Sequence, residues 1–215
     1  MAKASVVAAA PNGAGKVKGA PEKKSSGITL PKLLKREVVI TLIGDSPLVC
    51  HRWSEKAKRQ ILDTQMKKGK QAKEAKNPEQ DYLDSLYPHP DGGYGFPTLA
   101  FKAAAVDACS HIDGFTKVEA RGSFHIMGDL VRIEGEPTPR EDMVRVGMGT
   151  ADIRFRGEFK DWKCCLHITY NANVISLEQL ANLFETAGFA IGVGEHRPQK
   201  DGNWGMFHVA KEGEV

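Results

Sequence analysis

Gly188-Phe-Ala-Ile-Gly192-Val-Gly194-Glu-His-Arg197-Pro-Gln-Lys200-Asp-Gly202-Asn-Trp204-Gly205-Met-Phe-His-Val209 joins a helical pattern to a short strand pattern. Upstream, Ser176-Leu-Glu-Gln179 has the form of a capping box, and Leu180, Leu183, Phe184 and Ala187 recur at helical spacing. A helix over Leu177–Ala187 follows, with Gly188 as its stop and a strand over Trp204–Val209 closing the chain. Glycine lets a backbone approach a ligand closely and expose its N–H groups, and cationic side chains meet phosphate oxygens. Gly192 and Gly194, with His196, Arg197 and Lys200, therefore predict a loop that grips a polyanion. The plainer alternative is a connection whose glycines satisfy turn geometry.

Working outward, Arg36-Glu-Val-Val-Ile-Thr-Leu-Ile-Gly44 is a β-branched run of strand length. Ser54 then caps a helix carrying Ala57, Ile61, Leu62 and Met66. A short helical piece is expected over Glu79–Tyr87 and an Ala-rich, closely packed helix over Leu99–Ser110. Extended segments follow around 117–127 and 129–134, then an edge strand over Arg140–Val146. Asp152–Arg156 and Trp162–Tyr170 read as a hairpin. The order is strand, helix, several strands, helix, strand. A βαβ unit at each end implies an α+β fold: a ferredoxin-like or RNA-recognition-motif-like antiparallel sheet with helices on one face, enlarged by insertions.

The 215 residues suffice for one domain with appendages, and a net charge of +3 conceals a partition. Residues 1–32 hold six lysines against Glu22 and show no hydrophobic period, which predicts a disordered basic arm ahead of one domain over 33–215. Residues 52–76 carry +6, with a lysine-rich insertion near 67–78, and 77–215 carry −8. Concentrated positive charge is the footprint of a polyanion-binding protein, although lysine-rich helices also occur as solvated faces. Arg52, Lys56, Arg59, Lys67, Lys68 and Lys70 join the candidate contacts on this ground. So do Arg154 and Arg156, which share one face of a period-2 strand; pairing with Glu158 or Asp161 is the alternative. Trp204 is a candidate base-stacking residue, whereas Trp53, Trp162 and Phe207 are assigned to packing.

Other classes are poorly served. No apolar run reaches the roughly 20 residues of a membrane span, and the N-terminus lacks a signal-peptide pattern. Cys50, Cys109, Cys164 and Cys165 form no Cys-x-x-Cys pair, so a reducing cytoplasm is expected and a disulfide framework is not. The seven histidines show no metal-site spacing, and neither a Walker A nor a Gly-x-Ser-x-Gly motif occurs. No cofactor, no metal and no enzymatic activity are expected; an acid–base role for His196 beside Glu195 ranks last.

Residues 38–43 with the exit Asp45-Ser-Pro-Leu48, the helix 177–187, and the run from Gly188 through Gly192-x-Gly194 to Gly202-x-x-Gly205-x-Phe207 resemble the RAMP superfamily. Its members include RNA-recognition-motif-like backbone subunits of CRISPR effector complexes. Residues 36–209 also look like an uncharacterised tailed-bacteriophage protein family, through His51-Arg-Trp-Ser54, Gly95-Phe-Pro97 and Gly192-x-Gly-Glu-x-Arg-Pro198. The resemblance implies a non-enzymatic phage protein of the host cytoplasm that binds single-stranded RNA or DNA and multimerises along the strand. Glu195, Asp201 and the acidic 77–215 region depart from a long basic groove. The competing expectation is a structural or assembly protein, or a host-factor inhibitor, acting through protein contacts.

Overall fold

In this computed structural model, residues 30–67, 75–146 and 149–214 are described. Most of the expected arm (1–29), and Lys68 and Lys70 of the insertion, lie outside them. Leu33–Val215 form one compact unit.

The chain runs through β1 (Lys35–Gly44), β2 (Leu48–Val49), α1 (Glu55–Gln65), α2 (Pro78–Ser85), β3 (Tyr87–Pro88), β4 (Tyr94–Pro97) and α3 (Thr98–Ala108). It continues through α4 (Lys117–Ser123), β5 (Phe124–Ile126), β6 (Leu130–Arg132), β7 (Pro137–Val146), β8 (Thr150–Phe159), β9 (Lys163–Asn171), α5 (Leu177–Ala190) and β10 (Phe207–Val209). The main sheet has the order β10-β1-β9-β5, antiparallel at every pair. β1 and β5 therefore run parallel with β9 between them, and β9 and β10 run parallel with β1 between them. With α3 and α5 in the crossovers, these are the two split βαβ units of the ferredoxin-like and RNA-recognition-motif-like α+β fold.

The alternation of β1 and β9 decides which face is covered. Ile40 and Leu42, and Cys164, Leu166 and Ile168, are buried, while Val39 is 53% exposed and His167 faces solvent. Phe101 of α3 meets Phe207 of β10, and Phe124 of β5 meets Phe184 of α5, each edge-on at 5.8 Å between ring centroids. Ala104, Ala105 and Ala108 are buried on α3, so two helices fit side by side on one face. Trp162 and Phe207 belong to this core, as expected from the sequence. Adjacent Cys164 and Cys165 point to opposite faces, and burial pushes the Cys50 thiol up to about 12.

Several expectations need correction. Residues 117–123 are helical, because Thr116 and Glu119 close a capping box that overrides their extended reading. β8 pairs with β7, over the full length from Val146–Thr150 to Pro137–Phe159, and not with β9. The sheet β2-β8-β7 is thus an insertion beside the main sheet, and β3-β4-β6 is another. The last strand is confined to Phe207–Val209.

Gly188 does not stop α5. The helix continues to Ala190, and the left-handed residue that follows its end is Gly192, at φ 67°. Gly188 is buried inside the helix, where a Cβ would sit 1.7 Å from the Phe207 carbonyl oxygen. Its missing side chain is what lets α5 lie against β10. Gly188→Ala should destabilise the protein by about 1–3 kcal/mol, the usual range for over-packing, read as a lower denaturant midpoint. An unchanged midpoint would contradict this close approach.

Candidate nucleic-acid interface

The site is assembled on the turn between β2 and α1. The Cys50 amide donates to the Gly157 carbonyl, and the Arg52 amide to the Ser85 carbonyl, which ties the turn to β8 and α2. Ser54 then starts α1, its hydroxyl accepting from the Ala57 amide. α1 buries none of its residues. It stands off the body, leaving an open cleft of about 720 Å³ between itself, α2 and β8.

Three kinds of side chain line this cleft. Ala57, Ile61 and Thr64 are one face of α1, spaced by three or four residues. Trp53, 59% exposed, borders it at the mouth of the helix. That corrects the assignment of Trp53 to packing: nothing covers enough of its ring. The charged lining is balanced, with Arg52, Lys76 and Arg154 against Asp81, Asp84 and Asp152. Lys76 is ion-paired with Asp152, Arg154 Nε lies 3.5 Å from Asp152 Oδ2, and Arg52 Nη2 lies 3.6 Å from Glu55. The strong positive charge is elsewhere. Lys56, Lys58 and Arg59 are exposed on α1 and do not line the cleft, and Lys67 follows the helix, exposed, at φ 55°. A cationic outer face therefore borders a neutral, partly apolar interior.

His51 sits in the cleft wall, its Nδ1 3.1 Å from Glu195 Oε1 and its Nε2 3.5 Å from Arg154 Nη1. A guanidinium only donates, so Nε2 accepts and the Nδ1 proton goes to Glu195. The Glu195 carboxyl is held down at about 2, first by that hydrogen bond and then by the charge of Arg156. The sequence pairing of Glu195 with His196 is thus replaced by a pairing with His51, 144 positions away.

Arg156, two residues beyond Arg154 along β8, is buried away from the cleft. It is 4% exposed, with Nη1 3.2 Å from Asp142 Oδ2 and 3.3 Å from His196 Nε2, and Nη2 3.8 Å from Glu195 Oε2. Its Nε has no hydrogen-bond partner among the described residues. Asp142 also accepts from Arg140 Nε at 2.8 Å, and Arg140 Nη1 donates to Glu158 at 2.7 Å. The Arg140 guanidinium lies 3.7 Å above the Trp204 ring, whose centroid is 4.8 Å from that of His196. Arg154 and Arg156 do share a strand face, but only Arg154 reaches the cleft. Arg156 is removed from the candidate contacts, because a buried guanidinium between two carboxylates has no surface to offer a phosphate. Trp204 is likewise capped by Arg140.

The glycine loop has a different use from the one its composition suggests. The amides of Gly192, Val193, Glu195, Gly202 and Gly205 donate to carbonyls of Ala187, Gly205, Val49, Arg197 and Pro47. A Cβ on Gly194 would lie 2.7 Å from the Val49 carbonyl oxygen, and one on Gly205 1.7 Å from that of Val193. These glycines fold the loop onto itself and onto β2, so its main chain is not an open crook. Arg197 turns back onto the Gly194 carbonyl and Gln199, and Lys200 is exposed. The loop reaches the cleft through Glu195, which orients His51. Among the described residues no group of three His, Cys, Asp or Glu could hold a metal ion, and no helix is long and apolar enough to cross a membrane.

No family model matches the chain, and no curated protein matches it. Among solved structures, it is similar to the crystal structure of Cmr6 from Pyrococcus furiosus, at TM-score 0.39 and 9% identity, over 83% of this chain and 100% of that one.

The low Glu195 pKa fixes a pH response. A carboxyl depressed from 4.5 to about 2 stabilises the fold above 4.5, and that stabilisation is lost as the pH falls through about 2. Glu195→Gln should lower the thermal midpoint near neutral pH, with the gap to the parent closing between pH 4.5 and about 2. A gap that persists unchanged in acid would remove the ion pair as its cause.

Proposed function

We propose that the protein is a non-enzymatic binder of single-stranded nucleic acid, with the outer face of α1 and the adjoining cleft as its grip. The observation that carries this reading is the exposed Trp53 ring, set between the cations of α1 and the cleft. Bases of any identity stack on aromatic rings, and phosphates take cations alongside them. Lys56, Arg59 and Lys67 would follow the backbone, with Arg52 at the cleft mouth, while Arg154 stays paired with Asp152 in the wall. Lys68 and Lys70, outside the described residues, would extend the same run, and Lys200 lies on a separate exposed loop. The sequence resemblance supplies the setting of a phage-infected cell and repetition along a strand.

A second reading is favoured by one feature. Ile61 and Leu62 on α1 and Met66 at its C-terminal cap are 40–58% exposed, and Met143 on the β7–β8 hairpin is 82% exposed. Apolar side chains so placed suit a protein partner, as in an assembly or inhibitory role.

Salt separates the two. If about four phosphates are neutralised, the slope of log affinity against log salt for a single strand should be about −3. Lys56→Glu with Arg59→Glu, both on an exposed helix, should cut affinity for a fluorescent oligonucleotide about tenfold or more at low salt. Affinity indifferent to salt and to this reversal would overturn the reading. Assembly of nuclease-treated protein whose 260/280 nm absorbance ratio is that of protein alone would favour the protein-contact role.

A further inference from the structure

We propose that the cleft is a subsite for one nucleotide whose base presents paired N–H donors, guanine above all, with that base stacked on Trp53. The inference rests on the strand-binding reading for its setting, and it adds a chemical preference. Three observations carry it.

The first is the charge balance of the cavity. A groove built only for backbone would be lined by uncompensated cations. Here Lys76 and Arg154 are already paired with Asp152 in the wall, so the interior favours a neutral, polar, flat group over a phosphate. The second is shape and surface. A volume of about 720 Å³ admits a nucleotide, and Trp53 with Ala57 and Ile61 offers an aromatic plane and an aliphatic wall on one side.

The third is the opposite wall. Asp81 and Asp84 on α2 are three residues apart and both line the cleft. Asp84 accepts from Gln80 Nε2 at 2.8 Å. Among the described residues no side chain hydrogen-bonds or ion-pairs with the Asp81 carboxylate. An ionised carboxylate only accepts, so it selects a ligand edge made of donors. Guanine supplies two adjacent donors, N1–H and the 2-amino group, to one carboxylate. Cytosine and adenine supply one amino group, and uracil sets carbonyl oxygens against it. The sugar and phosphate of that nucleotide would leave by the cleft mouth, where Arg52 stands. The same chemistry serves a guanine within a strand or a free guanosine monophosphate.

The test uses the full-length protein and three probes: a nine-residue oligouridylate, the same oligomer with guanosine at its centre, and free guanosine monophosphate against uridine monophosphate. Trp53 is the exposed indole, so stacking reads out as quenching of tryptophan fluorescence. The guanosine-containing oligomer should bind about tenfold tighter than oligouridylate, within the discrimination expected of a bidentate contact. Trp53→Ala should abolish the quenching, and Asp81→Asn should bring the ratio of the two affinities to about one. Both residues are exposed, and melting curves of the variants confirm that the fold is kept.

Equal, salt-sensitive affinity for the two oligomers would sink the base subsite and leave strand binding standing. Quenching by guanosine monophosphate with no binding of either oligomer would uphold the subsite, assign it to free nucleotide, and remove strand binding. Quenching that survives Trp53→Ala, or a guanosine preference that survives Asp81→Asn, would also overturn the assignment.

Discussion

A single guanidinium beneath the C-terminal loop holds the site together. Arg156 is all but removed from water, and an uncompensated charge in that position costs several kcal/mol. It persists because Asp142 comes from the neighbouring strand and Glu195 from the loop after α5. Two pieces of chain more than fifty residues apart are thereby obliged to meet over β8. Glu195 has a second oxygen, which takes the His51 proton and sets that ring against Arg154. The wall of the cleft is therefore positioned, through Glu195, by an ion cluster that does not itself line the cavity. The buried arginine contributes geometry more than net stability, since a well-packed apolar residue of similar volume would often serve the fold as well.

Around this cluster the molecule divides its work. The four-stranded sheet with α3 and α5 forms the apolar body, where Phe101, Phe124, Phe184 and Phe207 interlock. The two smaller sheets and α1 are additions to this body. Almost all the polar chemistry sits in these additions: the β7–β8 hairpin supplies Arg140, Asp142, Arg154 and Arg156, and the turn after β2 supplies His51 to Ser54. The ferredoxin-like core acts as the mount: Leu48, Phe96, Val131 and Phe159 of the smaller sheets pack into its hydrophobic cluster, and the loop between α5 and β10 adds polar ties to β2 and β8.

The parts of the fold that were legible in the sequence are those governed by local rules. Ser176 with Gln179 marked the start of α5, Ser54 that of α1, and a β-branched run of strand length marked β1. Pairing over distance was not legible: the partner of β8 depends on which of two neighbours the preceding turn brings alongside it. The glycines misled for a related reason. Gly188, Gly194 and Gly205 are small because another backbone lies against them, and a sequence records the missing side chain without recording what fills its place. Arg154 and Arg156 were correctly put on one face, yet their two-residue offset separates a surface contact from a buried anchor. Trp53 stayed hidden among aromatics whose default fate is the core.

The absence of any buried residue on α1 has a mechanical consequence. An isolated helix of about eleven residues is marginal in water, and most helices in proteins are held by an apolar face packed on a neighbour. The local ties of α1 include the Ser54 cap, the Lys58–Glu55 pair and the Arg52–Glu55 contact, all at its first turn. α1 is thus the less firmly held side of the cleft, since α2 and β8 are tied to each other through Ser85 and Gly157. For any guest that docked there, the free energy of binding would include that of firming up this helix.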